Sequence, residues 1–124
     1  MAGSSVTFTE KTHTSVKEVY AVWVSDDSAG TASGTTTYGY DGELIMVQFD
    51  PDGGATTPAD SYDITIKDAN GVDVINSLGA NLTNAATVTK ARSDGLLAVS
   101  GSKLTFAVSG AGNSKGGTIR LSLR

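Results

Sequence analysis

YDITIKDANGVDVI, Tyr62 to Ile75, decides the fold class. Ile64 and Ile66 alternate with Asp63, Thr65 and Lys67, the period of two that sends one row of side chains into a core and the other into water. Asp68-Ala69-Asn70-Gly71 supplies a turn. A two-residue Asn70-Gly71 turn would set Asp68 opposite Asp73, a like-charge pair that sheets disfavour. A type I turn closed by a left-handed Gly71 in a bulge instead faces Lys67 with Asp73 and Ile66 with Val74, so both faces agree. The second register is the expected one, and the stretch reads as a β-hairpin.

Working outward, the same alternation recurs. Val6-Thr7-Phe8-Thr9 reads as a short first strand. In Ser15 to Ser25, SVKEVYAVWVS, Tyr20, Val22 and Val24 share one strand face and Val19, Ala21 and Trp23 the other. Helical spacing also fits part of it, but four valines, Tyr and Trp favour a strand. With both faces apolar, it is central or covered on one face by a partner. Residues 26–34, DDSAGTASG, are a loop by composition, and Thr35 to Tyr40 is expected as a strand. Asp41-Gly42 then turns into Glu43 to Phe49, again apolar on both faces, giving a second candidate hairpin. Asp50 to Ser61 holds both prolines and is expected as an exposed loop.

Residues 76–86 fit an irregular connection or a short helical turn. Thr87 to Thr89 and Leu96 to Val99 fit short strands. At the end, Leu104, Phe106 and Val108 alternate, GAGNSKGG turns the chain, and Ile119, Leu121 and Leu123 alternate with Arg120, Ser122 and Arg124. A terminal hairpin with a wide loop follows. About eight short strands predict an all-β, antiparallel two-sheet β-sandwich, jelly-roll or immunoglobulin-like. Its expected core is Val22, Val24, Ile45, Val47, Phe49, Ile64, Ile66, Val74, Leu104, Phe106, Val108, Ile119, Leu121 and Leu123.

The chain of 124 residues fits one domain, with residues 1–12 as a candidate N-terminal arm that adds a strand to a neighbour. Fifteen glycines and a low charged content favour tight turns over helices. Without cysteine there is no disulfide framework and no thiolate chemistry. No apolar run approaches the ~18 residues of a membrane span, and the N-terminus lacks the basic-then-apolar order of a signal peptide, so a soluble, unexported protein is expected. A net charge of −4 argues against nucleic acid as a partner. The charge is uneven. Residues 1–62 carry two lysines against nine acids and residues 63–124 seven bases against four, giving −7 and +3, which reads as an ordinary solvated surface or, alternatively, as an acidic and a basic face used for docking.

Chemistry finds little to hold. His13, the sole histidine, lies in a polar Thr-rich segment and reads as a surface residue. No serine lies in a nucleophile elbow, there is no P-loop, and Gly110-Ala111-Gly112 leads into a turn rather than a helix. Asp50, Asp52 and Asp60, with Asp26 and Asp27, offer hard oxygen ligands, but their spacing fails the EF-hand pattern and they read as turn-starting aspartates. Asn81-Leu82-Thr83 matches a glycosylation sequon, an accidental match in an unexported chain. No metal, cofactor or enzymatic activity is expected. Tyr20, Trp23, Tyr38 and Tyr40 could form an aromatic platform for carbohydrate, with Tyr38 and Tyr40 on one strand face.

Three stretches carry a family resemblance: the start VTFTEKT (6–12) with the following VKEVYAVWVSDD (16–27), YDITIKDANGVDVINSLGANLTN (62–84) and GSKLTFAVSGAGNSKGGTIRLSLR (101–124). Through them the chain resembles the capsid decoration, or cement, proteins of tailed bacteriophages. The resemblance implies a sandwich that oligomerises, as a dimer or trimer, on the outer capsid surface and clamps the major capsid protein. It would be made in the host cytoplasm and reside on the virion, with no nucleic acid and no membrane partner. Candidate contacts are Val6, Phe8, Tyr20, Trp23, Tyr38, Tyr40, Asp50 and Asp52. Alternatives are another virion part, such as a tail-tube, neck or fibre-associated component, and a carbohydrate-binding module.

Overall fold

The structure, a computed structural model, describes residues 4–12 and 15–124. His13 lies outside them. The chain is all-β, two antiparallel sheets packed face to face. The large sheet runs in the order β1 (Ser5–Thr12), β2 (Lys17–Val24), β9 (Gly116–Leu123), β4 (Tyr40–Pro51) and β6 (Val88–Ala91), with β7 (Ala98–Ser102) pairing to the start of β4. The small sheet runs β3 (Ala32–Thr35), β8 (Thr105–Ser109), β5 (Asp63–Lys67). From β2 onward nearly every connection crosses between sheets, so β9 inserts between β2 and β4, and β8 between β3 and β5. That alternation is the wrapping of a jelly roll; an immunoglobulin sandwich sorts its strands between sheets in another order.

The Tyr62–Ile75 turn has the expected register. Lys67 bridges Asp73, the Val74 N–H donates to the Ile66 carbonyl at 2.8 Å, and Gly71 sits at φ 81°. The returning arm, however, is not a strand beyond that bridge. Asp73 turns it away, accepting from the Ile66 N–H through Oδ1 and from the Ser77 N–H through Oδ2. The alternating partner of β5 is β8 instead.

Two other expected hairpins are also replaced. β8 and β9 lie in opposite sheets, so residues 110–115 arch between sheets rather than closing a terminal hairpin. The strand expected over Thr35 to Tyr40 ends at Thr35, and Asp41-Gly42 is a bulge inside one long β4 rather than a turn. A second irregularity, between Leu44 and Met46 against β9, gives Leu44 the core position expected of Ile45, which is half-buried.

β2 inverts the expected faces. Val19, Ala21 and Trp23 point inward, whereas Val22 and Val24, expected in the core, are exposed. In a strand one parity excludes the other, and burying the indole outweighs burying two valines. The remaining expected core positions, from Val47 and Phe49 to Leu121 and Leu123, are buried.

Candidate functional site

The expected contact residues do not form one cluster. Val6 and Phe8 face inward from β1, against the core, and Phe8 meets Phe106 edge-on with ring centroids 5.3 Å apart. β1 pairs with β2 from Ser5 to Thr12, so this part of the proposed arm is an edge strand of its own chain. Trp23 is buried beside Tyr62, centroids 5.9 Å apart. Tyr40 is buried while Tyr38 is 63% exposed, so the two tyrosines share no face and the aromatic platform fails. The strand that would have aligned them ends before Tyr38.

Glu10 explains what Tyr38 and Tyr40 do. Its Oε1 accepts from the Tyr40 hydroxyl at 2.6 Å and the Tyr38 N–H at 3.2 Å, and its Oε2 accepts from the Thr37 N–H at 3.0 Å. The carboxylate ties β1 to the loop between β3 and β4. Burial pushes the Glu10 carboxyl up, but the Tyr40, Thr37 and Tyr38 bonds outweigh it and hold the group below its ordinary 4.5. Burial, then the Glu10 carboxylate, raise the Tyr40 hydroxyl. A depressed folded value contributes stability above the unfolded value that disappears as pH falls through the folded one. Glu10→Gln is therefore expected to melt below wild type at neutral pH, with the gap closing as pH drops below about 4.5. Thermal midpoints at stepped pH test this; a constant gap would contradict it.

Asp50 and Asp52 line a cleft of about 260 Å³ with Pro51, Thr57, Asn84 and Thr87. Each carboxylate is engaged locally: Thr87 Oγ1 donates to Asp50 at 3.1 Å and Thr56 Oγ1 to Asp52 at 3.2 Å. Asp60 instead accepts from the Asn84 N–H. Asp26 is buried and caps its own loop, accepting from the N–H groups of Ala29 and Gly30 at 2.8 and 2.6 Å. Among the described residues no three His, Cys, Asp or Glu side chains converge as metal ligands, and no helix is long and apolar enough to cross a membrane.

Charge separates by end rather than by half. The two halves of the sequence interleave in the sheets, β2 pairing with β9 and β3 with β8. The loops around 25–31, 51–62 and 110–115 meet at one end through bonds such as Ser25 N–H to the Lys115 carbonyl and Ala59 N–H to that of Ala111. Asp26, Asp27, Asp50, Asp52, Asp60 and Asp63 gather there against Lys115 alone. The rest of the chain holds seven acids against eight bases.

The distinctive exposed feature is the outer face of the large sheet. Tyr20, Val22 and Val24 stand in a row on β2, exposed by 40%, 44% and 38%. In register beside Tyr20, Val22 and Val24 are Thr9, Thr7 and Ser5 on β1 and Arg120, Thr118 and Gly116 on β9. Glu18 extends the row and receives Arg120 Nη2 at 3.1 Å. Sequence reasoning named Tyr20 as a candidate contact but put Val22 and Val24, on the same strand face, in the core. Glu18 was the available signal, since it shares their parity and a buried carboxylate would be costly. No protein-family model matches the chain, and no curated protein matches it.

Proposed function

We propose that the chain is a structural virion protein of a tailed bacteriophage that binds the outer surface of the capsid lattice and stabilises the shell. The observation that carries this reading is the Tyr20-Val22-Val24 row, an apolar strip left open on the face of a packed sandwich. A scaffold of this kind works through its surfaces, and the resemblance to decoration proteins supports a shell of major capsid protein as the partner. The acidic loop end is the part offered to the shell, where it suits a basic partner surface.

The mechanism is mass action. A protein that binds only the assembled, expanded lattice lowers the free energy of that state, and many repeated modest contacts add up over the particle. Particles carrying the protein are expected to survive heating or osmotic shock that ruptures particles lacking it. Equal survival would remove the basis for a cement role. Copy number separates this role from a tail or neck component: a shell protein is present in hundreds of copies per particle.

A further inference from the structure

We infer that the outer face of the large sheet carries a trough that takes one lysine or arginine side chain of a partner polypeptide, its methylenes on two valines and its charged head on two aspartates. The inference rests on the decoration reading for the source of that side chain, a basic residue of the major capsid protein set in a neutral or apolar segment, but its first test needs no shell.

The trough runs along β9. Gly116 and Thr118 form its floor, since neither raises more than a short side chain. Val24 and Val22 stand in register with them on β2, and Asp50 on β4 is opposite Thr118. The Asp52 N–H continues that pairing, donating to the Gly116 carbonyl at 3.1 Å. The walls are therefore two strand spacings apart, about 10 Å, one apolar and one acidic. All four wall residues are exposed. At the loop end the acidic wall leans inward. A Cβ on Gly116 would lie 2.5 Å from Asp52 Oδ2, so the carboxylate rests over the glycine and faces Val24.

Charge picks the occupant. Among the described residues neither aspartate pairs with a cation, the ion pairs being Glu43–Arg92 and Glu18–Arg120. Thr87 and Thr56 each donate one hydroxyl bond, to Asp50 and Asp52, and leave the other carboxylate oxygens open. The chain's own bases nearby are engaged: Arg120, further along β9, is held by Glu18 through Nε and Nη2, and Lys115 Nζ donates to the Ala55 carbonyl. A purely apolar partner would cover the valines but strip two carboxylates of water with no counter-charge, a costly burial. A small hydrophilic cation would satisfy the carboxylates and leave the valines wet. Nucleic acid and other polyanions are repelled. A lysine or arginine side chain meets both walls at once, because its stem packs on apolar surface while its head reaches charge.

Amide chemical-shift titration of the purified chain with a blocked Val-Arg-Val tripeptide tests the inference, against the same peptide with citrulline, which keeps the shape of arginine without its charge. The amides of residues 22–24, 50–52 and 116–118 are expected to shift, with the citrulline peptide at least about fivefold weaker. Asp50→Asn, Asp52→Asn and Val22→Ser should each weaken the arginine peptide about threefold, whereas Asp41→Asn, which removes the same charge at the other end of β4, should leave it within about twofold. All four positions are exposed, so matched circular dichroism and melting curves check that the fold is kept. Shifts spread evenly over the acidic loop end, equal responses to the two peptides, or aspartate variants no weaker than Asp41→Asn overturn the trough. On expanded shells that lack the protein, Asp50→Asn and Asp52→Asn should bind more weakly than wild type. Shells that hold all three equally would sink this inference alone, and a chain that takes the arginine peptide as expected but does not bind shells would sink the decoration reading alone.

Discussion

Gly42→Ala is expected to destabilise the fold by about 3–5 kcal/mol, the sum of backbone strain and a steric clash. Gly42 sits at φ 123°, outside what an L side chain tolerates, and a Cβ there would lie 2.3 Å from the Arg124 carbonyl oxygen. That oxygen is not free to retreat. It accepts the Glu43 N–H at 3.0 Å, while the Arg124 N–H donates to the Glu43 carbonyl at 2.9 Å, locking the end of the chain to β4. Just beyond it, between Leu44 and Met46, β4 carries the extra residue against β9 that puts both Leu44 and Val47 inward, so loosening this segment would expose Leu44, Val47 and Phe49, all fully buried. Gly53→Ala is the matched control, since it has ordinary φ and nothing within 4 Å, and should change stability by less than about 0.5 kcal/mol. Urea unfolding of both variants reads the contrast. A Gly42→Ala protein within about 1 kcal/mol of wild type would mean that the bulge relaxes freely.

The Gly42 bulge also shows why some of the architecture was legible and some was not. Asp-Gly between apolar runs is a common hairpin signal, and sequence reasoning read it so. Only the pairing of β4 with both β7 and β9 reveals that the chain continues straight through. Local chemistry was readable where neighbours in sequence decide it, as at Asp68 to Gly71, where a lone left-handed glycine and the Lys67–Asp73 pairing settle the register. It failed where distant strands decide. The β8 and β9 runs alternate cleanly, but alternation says only that one face is buried, not in which sheet.

The candidate site follows the same division. Tyr20 was named a candidate contact, yet Val22 and Val24, on its own strand face, were assigned to the core because the competing face, Val19 to Trp23, is equally apolar. What resolves the parity is volume. Trp23 fills space between two sheets that no valine fills, and that space exists only once β9 and residue Tyr62 are in place.

Trp23 therefore supplies the second large expected effect. Trp23→Ala should cost about 4 kcal/mol, lowering the melting midpoint by about 15 °C, because the fully buried indole is the largest group joining the two layers. One side of the ring faces Tyr62, whose hydroxyl is pushed up to about 12 by burial and by the nearby Asp50 carboxylate. Another side lies across Gly117, its register partner on β9, so closely that a Cβ there would come within 2.8 Å of the ring. Gly117 is thus glycine because of Trp23, not because of its own backbone. Gly117→Ala should cost about 1–3 kcal/mol in wild type, as overpacking does, yet almost nothing once Trp23 is alanine, since the new methyl then enters the vacated space. A double-mutant cycle by thermal or urea unfolding measures this coupling. Additive costs would mean that the ring does not rest on Gly117, and with that the reason for the inward parity of β2, and for the outward Tyr20-Val22-Val24 row, would fail.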